Sequence, residues 1–279
     1  MPAQPATAPR RGDHLSERPP QIVVLVSATS EWRALDRLHP GTPRRRSPFG
    51  EWYVLPQLVA GFTTALFYGG WGKVSAAASA QHVIDRFAPE LLVNLGTCGG
   101  FAGEVERGEV LLAGETLVYD IVEQMTDPDE AVAARAATID LSWLDAADGR
   151  PPETYPSAVR RVRLLSADSD IVPAQVSLLR EKYGAVGADW ESGAIAWTAA
   201  RNEVPCLILR AVSDLVGAAG GEVYDDYAEF ERRSLEVMES LLGVLPAWLD
   251  AWRRRPAAGG RSVTDGRPTT GDRPVPPRP

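Results

Sequence analysis

Cysteine is scarce in this chain, with Cys98 and Cys206 the only two. A framework of several disulfides is therefore excluded, and a reducing cytoplasm is the expected compartment. Histidine is nearly as rare. His14, His39 and His82 share no ligand spacing with one another or with the cysteines, so no metal site is expected. No apolar run approaches the ~18 residues that a membrane span requires, and the N-terminus lacks the apolar core of a signal peptide. Basic charge is in deficit: 29 Lys and Arg stand against 37 Asp and Glu, a formal net charge of −8. A nucleic-acid-binding face needs the opposite balance, so that class of partner is not expected.

What is present is an ordinary globular composition, 44% apolar and 24% charged. The two ends differ from the rest. Residues 1–20 are rich in Pro, Ala and Arg, and residues 254–279 in Pro, Gly and Arg. Neither has apolar periodicity, and both are expected to be disordered tails around a single domain at 21–253.

Within that domain strand-like and helix-like runs alternate. "IVVLVS" (22–27) reads as a strand covered on both faces, and "SEWRALDRL" (30–38) follows with helical spacing. "WYVLPQLV" (52–59) and "TTALFYG" (63–69) form an expected strand pair turning at Gly61. "KVSAAASAQHVIDRF" (73–87) is a helix with Val74, Ala77, Ala78, Val83, Ile84 and Phe87 along its apolar stripe, ended by Pro89. "LLVNL" (91–95), "EVLLAGETLVYD" (109–120, bent at Gly114) and "PCLILRAVS" (205–213) are further strands. Residues 173–183, 191–202 and 225–252 are helices, the last kinked or split at Pro246. Residues 121–160 read as a loop-rich insertion. The pattern is α/β: a central mixed sheet flanked by helices.

The stretch "LLVNLGTCGGF" (91–101) ends its apolar run in Gly96, Gly99 and Gly100, which reads as a loop beyond a strand, where α/β sheets bind ligands. It is neither a P-loop nor a dinucleotide fingerprint, because no Gly-Lys-Ser/Thr follows and the glycine spacing differs. Two carboxylates lie just past other strand ends, Glu31 after the first and Asp214 after the last, and Glu191 opens a helix. Each has a structural alternative as a helix-cap or first-turn residue.

"VNLGTCGGFAGEVERGEVLLAG", "LSADSDIV" and "GADWESGAIAWTAARNEVPCLILRAVSDLVG" together resemble the nucleoside phosphorylase/nucleosidase superfamily. They are most similar to its methylthioadenosine/S-adenosylhomocysteine nucleosidases of the plant type, over roughly 22–250. The resemblance implies a nucleoside phosphorylase-like fold and release of a purine from an adenine nucleoside, with water as co-substrate and no cofactor. It implies that Glu31 activates water, Asp214 is the acid serving purine N7, and Glu191 holds the ribose hydroxyls. Thr97, Cys98, Gly99, Trp190 and Ser213 would line the pocket, and backbone groups near Ile171 would read the purine edge. Trp190 stands where many relatives have Met. Tyr119, Met125 and Trp143 are candidates for the pocket of the 5′ group. The family resemblance also implies a homodimer.

The same resemblance leaves phosphorolysis as an alternative, and a non-catalytic nucleoside-binding module as another. Phosphate needs a cationic cradle. The phosphorylase relatives carry an arginine where this chain has Asn94, and another near Glu31. Arg33 and Arg210 are the remaining cations to be placed, the first as a solvated helix residue, the second as a buried partner for a carboxylate.

Overall fold

The computed structural model describes residues 19–255 except 60, 126, 146–151 and 153. The expected tails lie outside the described residues apart from 19–20 and 254–255.

β1 (Ile22–Val26) is buried along its whole length, as a run without a polar residue requires. It leads into α1 (Thr29–Leu38). β2 (Arg45–Ser47), β3 (Gly50–Val59) and β4 (Phe62–Tyr68) form an antiparallel meander. α2 (Lys73–Phe87) stops at Ala88, which takes the left-handed conformation just before Pro89. β5 (Leu91–Phe101) and β6 (Val110–Val118) follow. Among its described residues the 121–160 segment then holds one short helix, α3 (Pro128–Ala133), the two-residue strand β7 (Ala137–Thr138) and a 3-10 turn at Ser142–Leu144. β8 (Arg160–Ser166), α4 (Val176–Tyr183), β9 (Gly187–Asp189), α5 (Ser192–Arg201), β10 (Cys206–Gly217), β11 (Gly220–Gly221) and α6 (Tyr227–Arg254) complete the chain.

The sheet order is β11-β10-β6-β8-β9-β5-β1-β4-β3-β2, and β10 also pairs with β5. That extra pairing closes β10, β6, β8, β9 and β5 into a ring, with β1, β4, β3 and β2 as an open wing. β5 is common to both parts. α2 packs with α5, where Gln81 and Asn202 exchange side-chain hydrogen bonds, and α1 packs with α6.

Three sequence expectations are corrected here. The glycine stretch 96–100 is strand, not loop: β5 continues to Phe101, paired with β10 on one side and with β9 through Gly99 and Gly100 on the other. The glycines answer to crowding. A Cβ on Gly96 would overlap Arg210 Nη1 and stand 2.6 Å from Glu31 Oε1, and one on Gly99 would stand 2.7 Å from Ile171 Cδ1. The α2 stripe is rotated from the expected one. Val83, Ile84 and Phe87 are buried, but Ala76, Ser79 and Ala80 take the inner face and Val74 is 82% exposed. The inner face is the one that meets the sheet, where Ser79 lies against Gly69 just past β4 and Phe87 meets Trp52 of β3 edge-on. Finally, α6 is not split at Pro246, because the burial of Leu245, Trp248, Leu249 and Trp252 carries the helix past one missing hydrogen bond.

Gly96→Ala should destabilise the fold by about 1–3 kcal/mol, the usual cost of overpacking a filled interior. A urea-unfolding midpoint equal to that of the parent would contradict the close approach at this position.

Candidate active site

Glu31 sits in the first turn of α1, where the exposed N–H groups of a helix favour a negative charge. Its Oε2 accepts the Ala28 N–H at 3.0 Å. Its Oε1 accepts from strand β5: the Thr97 N–H at 2.6 Å and the Thr97 hydroxyl at 2.9 Å. The carboxylate is thereby fixed to β5, although 66 residues separate the two in sequence.

Glu191 precedes α5. Its Oε1 accepts the Gly72 N–H at 3.0 Å, and its Oε2 lies 3.4 Å from Arg210 Nη2. Burial pushes its carboxyl up to about 8 against the pull of Arg210, with Asp189 and Glu31 adding to the rise.

Arg210, on β10, is the centre of the cluster and is 1% exposed. Its Nε contacts Asp189 Oδ2 at 2.9 Å and Ser192 Oγ at 3.0 Å. Nη1 donates to the Thr97 carbonyl at 3.1 Å and lies 3.9 Å from Glu31 Oε1. Nη2 donates to Asn94 Oδ1 at 2.7 Å. Asp189 also accepts from the Ser166 hydroxyl at 2.6 Å and from the Glu191 N–H at 3.2 Å. Three carboxylates thus surround one guanidinium, an arrangement with surplus negative charge that retains a proton in low dielectric.

Asp214 lies inside β10, not beyond it. A bulge between Val212 and Asp214 sets it opposite Gly99 of β5, and such bulges re-aim side chains. The Ser213 hydroxyl donates to Asp214 Oδ1 at 2.6 Å. Burial raises its carboxyl above the ordinary aspartate range, opposed by that hydrogen bond and by Arg233, and reinforced by Glu222 and Asp170.

These groups meet along three successive residues of β5. Thr97 carries Glu31, Gly99 faces Asp214, and the buried Cys98 lies between them. Its thiol is held far above the ordinary range, first by burial, then by Asp189, with Asp214 and Glu31 adding and Arg210 opposing. A thiol so held is a small packed side chain, not a nucleophile. The Ser213 hydroxyl also approaches the Cys98 carbonyl at 3.3 Å. Ile171 packs its side chain over Gly99. The half-buried Trp190 meets the Trp71 ring at 5.1 Å.

Two candidates for the 5′-group pocket do not join the cluster. Met125 is 93% exposed. Trp143 packs edge-on against Trp252, beside a cavity of about 740 Å³ that Glu90 and Cys206 also line, and Cys206 opens β10 while Asp214 lies near its other end. The 3-10 turn carrying Trp143 docks on α6, which draws the indole away. Tyr119 remains near, with Ser169 as hydrogen-bond partner.

Sequence reasoning missed Asp189, Ser166, Ser192 and the Gly72–Lys73 turn. The Lys73 N–H donates to Asp168 Oδ1 at 2.7 Å and its ammonium pairs with Asp120, so the start of α2 is tied down beside Glu191. "YGGWGK" ahead of a small-residue helix was the available signal. Asp189, two residues before Glu191, had no signal of its own.

A sequence model described as the phosphorylase superfamily matches residues 22–244. The 5′-methylthioadenosine/S-adenosylhomocysteine nucleosidase of Maridesulfovibrio salexigens is 29% identical over 195 residues, covering 65% of this chain and 81% of that protein. The enzyme of the same name from Tolumonas auensis is 26% identical over 185 residues, covering 64% and 80%. Among solved structures, the Neisseria meningitidis 5′-methylthioadenosine/S-adenosylhomocysteine nucleosidase in complex with methylthio-immucillin-A superposes with a TM-score of 0.63 at 20% identity, over 82% of this chain and 98% of that one. That likeness shows a shared fold, and the family match spans the strands and helices that bring the carboxylates together. The chain belongs to the phosphorylase superfamily.

Proposed function

We propose that the chain hydrolyses the N-glycosidic bond of a purine nucleoside: 5′-methylthioadenosine, S-adenosylhomocysteine or a related adenine nucleoside. The observation that carries this reading is the meeting of Glu31 and Asp214 on one short stretch of β5, with Glu191 joined to the same cluster through Arg210. The names of the relatives point to the same chemistry.

Breaking an N-ribosyl bond places positive charge on the sugar and negative charge on the departing base. The base leaves once N7 is protonated, which calls for a carboxylic acid kept neutral by its surroundings. Asp214, raised by burial and held by Ser213, suits that task. Water must arrive on the opposite face of the ring. Glu31, fixed by Thr97 and Ala28, is the base that takes its proton, as the second carboxylate of an inverting glycosidase does. Glu191 binds the ribose hydroxyls. The surplus negative charge around Arg210 stabilises the positive charge that develops on the sugar.

Hydrolysis is favoured over phosphorolysis by the placement of the cations. Arg210 is buried with every nitrogen engaged, and Asn94 accepts one of its bonds. Arg33 is turned outward to Glu231 at 2.7 Å. A phosphate would meet Glu31 and the surrounding carboxylates instead of a cationic cradle.

A homodimer fits the surface. Trp71, Val74, Val122 and Met125 are exposed apolar side chains on the two segments that the Lys73–Asp120 pair joins. Among the described residues no helix is long and apolar enough to cross a membrane. Two free, buried cysteines suit a reducing cytoplasm.

Two outcomes are expected. Adenine should be released from methylthioadenosine in phosphate-free buffer at the rate seen with phosphate; release only on adding phosphate would replace hydrolysis by phosphorolysis. Asp214→Asn should bind nucleoside but lose about 10²–10⁴-fold in kcat, the usual worth of a proton-transfer partner. Because the acid works protonated and its pKa is raised, base release by the parent should fall as pH climbs through that raised value. Turnover near the parent rate in the variant, with the same alkaline fall, would remove Asp214 from the role.

A further inference from the structure

β10 loses a ladder partner before it reaches Asp214. β6 pairs with Leu209, Arg210 and Ala211. Val212 then accepts the Gly108 N–H at 2.9 Å and donates to the Glu109 carbonyl at 3.0 Å, and the bulge follows at once. A bulge leaves its extra residue, here Ser213, outside the ladder, and a buried backbone group without a partner is costly. Two side chains take over. Arg233 of α6 donates from Nη1 to the Ser213 carbonyl at 3.1 Å. Glu222, just past β11, accepts the Leu215 N–H on Oε2 at 3.3 Å, and its own N–H donates to the Leu215 carbonyl at 3.1 Å. The residues on both sides of Asp214 are thus held by groups from beyond the strand.

The two side chains also hold each other. Arg233 Nη1 donates to Glu222 Oε2 at 2.9 Å, and its Nε donates to Glu229 Oε1, one turn back on α6, at 2.7 Å. Arg107 reaches the same Glu222 oxygen at 3.7 Å. The Arg233 side chain is 12% exposed and that of Glu222 36%. An isolated ion pair at a surface contributes little. This one closes a ring through the Ser213 and Leu215 backbone and so spans the bulge. Among the described residues neither side chain bonds the Asp214 carboxylate, so both act through the backbone that carries it.

Resting on the nucleosidase reading, we propose that Arg233 and Glu222 are a pair of positioning residues that fix the β10 bulge and so hold the Asp214 carboxyl opposite Gly99. The acid is aimed by side chains that do not touch the substrate. Asp214 is faced by the Ser213 hydroxyl from its own strand, Cys98 from β5, Arg233 from α6, Glu222 and Tyr224 from the turn before α6, and Asp170 from the segment after β8. Burial is the largest cause that raises its carboxyl; Arg233 opposes the rise and Glu222 adds to it. A freed bulge admits water to that carboxyl and lowers its pKa. Removing the Glu222 charge lowers it as well.

The test follows the carboxyl NMR signal of Asp214 through a pH titration of the full chain, the signal being identified by its loss in Asp214→Asn. Glu222→Gln removes the charge but keeps an acceptor for Leu215 and Arg233, whereas Glu222→Ala removes both. The Asp214 midpoint should fall in both variants, and further in Glu222→Ala. Equal falls, which a bare charge effect gives, would overturn the proposal, and so would no fall, which mere support of the fold gives. In turnover of methylthioadenosine, Glu222→Ala and Arg233→Met should each lose about 10²-fold in kcat, the size of a misplacement near 1 Å, with KM unchanged. Glu222→Gln should recover most of that loss. The double variant should lose no more than either single one, because the pair acts as a unit. Additive losses, or kcat at the parent value per folded molecule, would overturn the proposal. The two readouts fail separately. A graded fall of the Asp214 midpoint in a chain that releases no adenine would uphold the positioning and reject the hydrolase. Adenine release with equal midpoints in the two Glu222 variants would reject the positioning alone.

Discussion

A single buried guanidinium organises this molecule. Arg210 is drawn out of water by β10 and could not remain there unpaired, since the desolvation of a lone charge exceeds what a small domain has in reserve. Asp189, Glu31 and Glu191 answer that demand from β9, α1 and the start of α5. The Asn94 amide and the Thr97 carbonyl supply the remaining acceptors from β5. The fold is tied together at the place where it concentrates negative charge. Stability therefore depends on the same atoms that concentrate the charge, so a substitution at Arg210 disturbs both.

The geometry follows from strand β5. A strand paired on both sides offers no room for side chains where other groups press against it, and Gly96 and Gly99 meet that condition. With side chains removed, Glu31 reaches the Thr97 backbone and the bulge in β10 brings Asp214 opposite Gly99. The burial that packs this strand also raises the Asp214 carboxyl. A buried carboxyl with a raised pKa opposite Gly99 is thus a consequence of where β10 bends.

Much of this was legible from the order of residues. The bounds of α2 and of β1 follow from unbroken periodicity, and the three carboxylates stood out against apolar strands. Strands that lack that contrast were missed. β8 opens on Arg160 and Arg161, which are exposed and hide its apolar end, while β9 is three residues long. The glycines at 96–100 were read as a loop because local composition reports missing side chains but not the neighbours that exclude them. Asp189 was not legible at all. It joins the cluster only when β9 is set beside β5 and β8. Val74 shows the same limit on a helix, where the inner face is the one that meets the sheet.

The central claim is that carboxylates distant in sequence surround one ribosyl carbon. It is tested most directly by a crystal structure of the chain with a non-hydrolysable methylthioadenosine analogue. The account predicts Asp214 within hydrogen-bond reach of N7, Glu191 on the ribose hydroxyls, and a water held by Glu31 on the ring face away from the base. A nucleoside bound clear of β5, or Glu31 and Asp214 on the same face of the sugar, would contradict it.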